Sequence, residues 1–255
     1  MRIVRLTLDC ADLGAQEEFW AGTLRLEVEA GEDALDVRLR DSTIRFRRAA
    51  PGTAPRHHFA INVPPGSIER AAAWIRERHE LLAFHGDPDE EEGATIVHTD
   101  RGTPAVYFLD PAGNVVELIA NVRLAGGADA DVRPGGPLGV GIGGSGEDAT
   151  FGPEALLDLA EVGIAAVDCG ATCAAVRDFL GEGVLWGGAP GWQLTAIGDA
   201  RAVVIVAPLD RGWIPVGLPA RPVPTEIVVL TAEPAELTLP EGPYVLRRVT
   251  SPSAA

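Results

Sequence analysis

A strand-then-helix pattern starts three times along this chain, and that repetition constrains the fold more than any other feature. Residues 3–9 (IVRLTLD) alternate apolar and polar side chains, as a half-buried strand does. Phe19, Trp20, Leu24 and Leu26 then recur at near-helical spacing within 15–26, and two strand-like stretches follow around 34–39 and 42–48. After the turn-rich AAPGTAP the pattern restarts with HHFAINV (57–63). A helix follows in SIERAAAWIRERHELL, with Ser67 as its expected N-cap and Ile68, Ala72, Ile75 and Leu82 on one side. The strands ATIVHT and PAVYFLD, the turn Asp110-Pro111-Ala112-Gly113-Asn114 and the strand VVELIA complete this second unit. EVGIAAVDCGATCAAVRDFL begins a third, in which Asp168-Cys169 parallels Asp9-Cys10, with GWQLTAIG and RAVVIVAP as its hairpin. Residues 225–249 resemble a fourth unit whose helix is cut to a few residues.

Repetition of this kind implies units that bury their faces by pairing. The expected fold class is α+β: β-α-β-β-β modules paired into cupped mixed sheets, the fourth module degraded. The expected domain division is 1–122 for two modules, a Gly/Pro-rich linker at 123–153, and a divergent second domain at 154–255.

Charge narrows the partners. The chain has 21 basic residues, all arginine, against 37 acidic ones, for a net −16, which argues against a nucleic-acid backbone or an anionic membrane surface. The absence of lysine excludes a Schiff-base lysine and a Walker-type phosphate loop. The start MRIVRLTLDC lacks the apolar core of a signal peptide, and no apolar run is long enough to span a bilayer. Three cysteines, Cys10, Cys169 and Cys173, suit a reducing compartment and read as small buried residues. The expectation is a cytoplasmic monomer or homodimer with a small-molecule ligand.

Strand alternation then assigns faces. In the first strand Val4, Leu6 and Leu8 point to the helix, leaving Arg5 and Thr7 on the other face. By the same parity Arg45 and Arg47, His58 and Asn62, and Glu117 lie opposite the helices. A curved sheet built from the first two units is expected to gather Arg5, Arg45, His58 and Glu117 into one concavity. Tyr107 lies beside it, as a ligand-orienting hydroxyl or as core. Trp186, Trp192 and Trp213 read as core or interface aromatics of the second half.

AVYFLDPAGNVVELIA, an aromatic strand, a DP-x-G-N turn and a V-E-L strand in that order, resembles the closing hairpin of the vicinal-oxygen-chelate superfamily, which includes glyoxalase I, bleomycin-resistance proteins and extradiol dioxygenases. HHFAINVPP…AAAWIRERHELL is similar to that family's second unit. The resemblance covers 1–122 well and 160–208 more weakly. It implies a cupped sheet with the site inside, and in metal-dependent members His and Glu ligands around a divalent ion. Carried over by position, His58 and Glu117 match ligand positions, while the other two positions hold Arg5 and Arg45. Arginine stays protonated and cannot ligate, so no cofactor is expected. His98 is a spare third ligand.

The resulting expectation is a protein that binds a small anionic or oxygen-rich molecule in the first cup without a full metal site. Arg5, Thr7, Arg45, Arg47, Asn62 and Tyr107 would contact the ligand, and His58 and Glu117 would act as acid/base or orienting groups. Two blander readings stay open: Glu117 as the ion-pair partner of an arginine, and Arg45 and Arg47 as solvated edge residues. The alternative function is a lyase, isomerase or ring-cleaving dioxygenase that uses Fe, Zn, Ni or Mn. Whether the chain is an enzyme is open at this level.

Overall fold

In the computed structural model, residues 1–84, 93–98, 103–121, 124, 150–187 and 194–252 are described. Each repeat in the sequence becomes a unit. The first is β1 (Arg2–Cys10), α1 (Leu13–Glu17, continued by a π-helical turn at Glu18–Thr23), β2 (Val28–Ala30), β3 (Ala34–Arg38) and β4 (Thr43–Arg48). The second is β5 (His58–Asn62), α2 (Ile68–Arg76), β6 (Val97–His98), β7 (Pro104–Leu109) and β8 (Val115–Ile119). The third is β9 (Leu159–Ala166), α3 (Cys169–Leu180), β10 (Val184–Gly187), β11 (Thr195–Gly198) and β12 (Val203–Pro208). A small hairpin, β13 (Gly212–Trp213) and β14 (Leu218–Pro219), precedes the fourth unit of β15 (Thr225–Leu230), β16 (Ala235–Thr238) and β17 (Tyr244–Val249), which has no helix. The fold is α+β and mostly strand, with the fourth unit degraded as the sequence implies. Among the described residues no helix is long and apolar enough to cross a membrane.

Local chemistry explains the boundaries. Asp12 caps α1 by accepting from the Ala15 N–H, and Asp168 caps α3 by accepting from the Ala171 N–H. Ser67 does not cap α2 as expected; its hydroxyl donates to the Pro64 carbonyl instead. The DPAGN turn closes around Asp110, whose carboxylate accepts from the Ala112 and Asn114 N–H groups, the Asn114 amide and the Gln16 amide. Gly113 supplies the left-handed residue at φ +78. Gln16 also accepts from the Trp20 indole, so α1 of the first unit is bonded to the closing turn of the second.

Strand pairing departs from the expectation. β1 pairs antiparallel with β15, while β5 pairs antiparallel with β9. The first unit therefore shares a cup with the fourth, and the second with the third. One residue pair, Ile3 with Leu159, joins the two cups into a continuous sheet. The opening strands of the units carry the same alternation, which fixes the inward face of each but not the strand edge it meets. Tertiary contacts supply that choice. Asn62 on β5 donates to Asp158 (2.8 Å) and to the Arg201 carbonyl, and Arg201 donates to Asp158 (2.5 Å), which locks β5 against β9. The division of the sequence around 123–153 remains a proposal about its organisation: hydrogen bonding between units crosses it, and residues 125–149 lie outside the described ones.

Candidate functional site

The site residues expected in one concavity are divided between two. Arg5, Thr7, Arg45 and Arg47 lie in the cup of the first and fourth units; His58, Asn62, Tyr107 and Glu117 lie in that of the second and third. The expected arginine–His58–Glu117 cluster is thus corrected by the strand pairing, and with it the reason for expecting no metal. Arg5 and Arg45 do not stand beside His58 and Glu117.

In the first cup the arginines are mostly engaged. Arg45 forms a two-pronged pair with Asp36 (2.7 and 2.6 Å), and Arg47 bonds Asp9 (2.8 Å). The Asp36 hydrogen bond leads the causes that raise the Arg45 pKa. The Arg45 and Arg47 side chains are 36% and 50% exposed, whereas Asp36 is buried. Thr7 is buried on the same face.

The second cup is apolar and small-lined: Ala60, Ala105, Ala160, Ala165, Ala196 and Ala207 belong to one buried cluster with Val203 and Ile205. Into it project His58 from β5, Glu117 from β8 and Glu161 from β9, with ligand-type atoms all within 4.8 Å of one another. His58 Nε2 lies 3.6 Å from a Glu117 oxygen, and both side chains are buried. One ladder row carries the two carboxylates: Glu117 and Glu161 both pair with Ala60, on opposite sides of it. Burial, partly offset by the Val115 backbone and reinforced by Arg211, pushes the His58 pKa down to about 4, so the imidazole is neutral near pH 7. Burial also raises the Tyr107 pKa well above its ordinary value, keeping its hydroxyl protonated and bonded to Glu117.

Trp213 forms a wall. The β13–β14 hairpin lays its indole on the His58 ring (centroids 5.0 Å apart, planes at 26°). A Cβ on Gly163 would stand 2.6 Å from the indole, so a glycine there leaves room for the ring. On the opposite side of the cluster a cleft reaches Glu161, lined also by Ile119, Trp186, Arg201 and Val203. Asn62, expected as a ligand contact, is fully buried and donates to Asp158 and Arg201. His98 is on the strand β6 at the sheet's end; its side chain lies outside the described residues, as does Trp192.

Sequence reasoning missed Glu161 and Trp213. Glu161 had a signal: it is the lone charged residue in the strand LAEVGIAA. Trp213 had none, because nothing in the sequence says which surface a two-residue strand will meet.

The donor set fits a divalent cation. One neutral imidazole and two carboxylates match borderline to hard metals such as Mn, Fe, Ni or Zn. Arg211 also lies near enough for its charge to act on His58.

The family model described as a glyoxalase-like domain matches residues 5–119. No curated relative matches the chain. A solved structure of a putative dioxygenase from Bacillus subtilis subsp. subtilis str. 168 is similar over 97% of this chain and 84% of its own, with TM-score 0.56 and 14% identity. A mutant glyoxalase I from Zea mays is similar over 97% of this chain and 93% of its own, with TM-score 0.52 and 12% identity. At such identities these likenesses speak for the fold.

Proposed function

We propose that this protein, a member of the vicinal-oxygen-chelate superfamily with a glyoxalase-like domain at 5–119, is a metal-dependent enzyme acting in its second cup on a small molecule with neighbouring oxygen atoms. The observation that carries the reading is the convergence of His58, Glu117 and Glu161 within 4.8 Å. These three side chains would hold the cation. Bound there, a divalent ion supplies Lewis-acid polarisation of a substrate carbonyl or hydroxyl.

The remaining chemistry belongs to the chain. Two carboxylates at one centre allow one to stay a ligand while the other takes a proton from carbon or oxygen, which favours a lyase or isomerase over ring cleavage. Glu161, half-buried and facing the cleft, is the better placed to meet substrate; Glu117, bonded by Tyr107, is the better held. Tyr107 keeps its proton and so orients Glu117 as a donor. Trp213 closes the far wall over His58 and excludes water. The cleft beside Glu161 is the approach, and its lining mixes Asn121, Asp199 and Arg201 with Ile119 and Trp186.

Metal analysis of protein purified without chelator tests this. One divalent ion per chain is expected in the wild type and its loss in Glu161→Gln. A wild type that neither carries nor takes up Mn, Fe, Ni or Zn sinks the reading. Exchange of the proton α to a carbonyl, followed by NMR in heavy water, then separates lyase or isomerase chemistry from oxygen-consuming cleavage.

A further inference from the structure

The first cup has its own unexplained feature. Its sheet face carries Arg38, Arg45, Arg47 and Arg247, and these engage Glu29, Asp36, Asp9, Glu226 and Glu236. Arg2 and Arg5 are left over. Neither side chain has a hydrogen bond or ion pair among the described residues, and the Nε of each is buried without a partner. Both belong to the same face. Arg2 stands opposite Leu230 and Arg5 opposite Val228, because the register slips between Ile3 and Arg5. That bulge places two arginines three residues apart on one side of the strand. Around them Val4, Val228 and Val249 form a small buried apolar cluster with Leu230 packed against it.

Two guanidinium groups without carboxylates, beside an apolar patch, make an environment that lacks an anion. A desolvated donor without an acceptor costs stability, and a carboxylate supplies that acceptor with charge. Burial and the charges of Arg45 and Arg38 lower the Arg5 pKa despite Asp36 and Glu226, which agrees with a local excess of positive charge in a protein of net −16. We propose that the first cup holds a second ligand site, separate from the His58–Glu117–Glu161 centre, for a small organic carboxylate whose charged end meets Arg2 and Arg5 and whose short apolar body lies against Leu230, at the edge of the Val4–Val228–Val249 cluster.

The test is calorimetric titration of the full chain with hexanoate, with hexanol and inorganic phosphate as comparators. Hexanoate should bind once per chain, more tightly than phosphate, while hexanol should not bind. Arg5→Gln and Arg2→Gln should each weaken hexanoate about tenfold or more. Arg221→Gln, which removes an exposed arginine paired with Asp210 beside the β13–β14 hairpin, should leave it unchanged. Because Arg5 has no partner to lose, Arg5→Gln should melt no earlier than the wild type. Should it nevertheless fail to fold, Arg5→Lys should keep the charge and lose only part of the affinity. No saturable hexanoate binding overturns the proposal. So does unchanged affinity in Arg2→Gln and Arg5→Gln, which would place any bound hexanoate elsewhere.

Discussion

The two cups are built on one plan and filled by opposite chemistry. The same ladder row crosses each of them, from the last strand of one unit through both opening strands to the last strand of the other. In the first cup it reads Arg45–Thr7–Glu226–Val245; in the second it reads Glu117–Ala60–Glu161–Val203. Glu226 thus stands where Glu161 stands, but an arginine replaces Glu117. A carboxylate pair across a small alanine invites a cation; an arginine in the same row closes into ion pairs with Asp36 and its neighbours. The burial differs in step, with the Glu117 side chain 4% exposed and that of Arg45 36%. In this shared frame Arg45, Thr7 and Arg5 stand where the second cup has Glu117, Ala60 and His58, and these three differences separate a centre suited to metal from a face of arginine ion pairs.

Glu117→Arg, which writes the first cup's residue into the second, should give the largest effect. Metal uptake should vanish, and losing the buried Glu117 while forcing a longer guanidinium side chain into the alanine-lined cup should cost roughly 3–5 kcal/mol of stability. Metal content and urea denaturation check both. Retained metal would mean that the row does not define the site.

Trp213→Ala comes next. Emptying the wall over His58 should destabilise by about 3–5 kcal/mol, whereas Trp213→Phe should cost much less. Gly163→Ala should cost about 1–3 kcal/mol by crowding the same indole. Equal stability of all three variants would show that the indole is not packed as described.

Acid should then report on the two buried histidines at the start of β5. Burial holds the His58 pKa at about 4 and that of its neighbour His57 at about 3, both below the ordinary 6.5. The unfolded chain therefore takes up protons at a higher pH than the native one. Their contribution is complete above pH 6.5 and is lost as pH falls towards 4 and 3. The expected slope approaches roughly 1.4 kcal/mol per pH unit for each histidine. Urea midpoints of metal-free protein between pH 7 and 4 should fall accordingly, and His57→Gln should flatten the curve. A midpoint unchanged down to pH 4 would contradict the burial of both rings.

Asp36→Asn should have the smallest effect. It weakens a two-pronged pair in which Arg45 is part-exposed but Asp36 is buried, and should cost about 1–2 kcal/mol, shrinking with added salt. A loss as large as that of Glu117→Arg would erase the contrast between the cups.

Alternation in IVRLTLD and HHFAINV determined that Arg5, Thr7, His58 and Asn62 turn from the helices. It did not determine the start of β1, where the bulge between Ile3 and Arg5 puts Ile3 in the main core and turns Val4, expected on the helix side, into the first cup's valine cluster. The DPAGN turn fixed the β7–β8 hairpin and with it the place of Glu117, because Asp110 and Gly113 satisfy that turn locally. These are matters of neighbouring residues, and a single sequence carries them. Partnership between units is not local. Strands β1, β5, β9 and β15 present similar edges, and the choice among them rests on long-range contacts such as Asn62 with Asp158 and Arg201, residues 96 and 139 positions away. That choice put Glu161 rather than Arg5 beside His58, brought Trp213 onto the imidazole, and left Arg2 and Arg5 together in the other cup. Period and turn chemistry wrote the units into the sequence, while the pairing of edges, a property of the folded whole, decided which residues became a site.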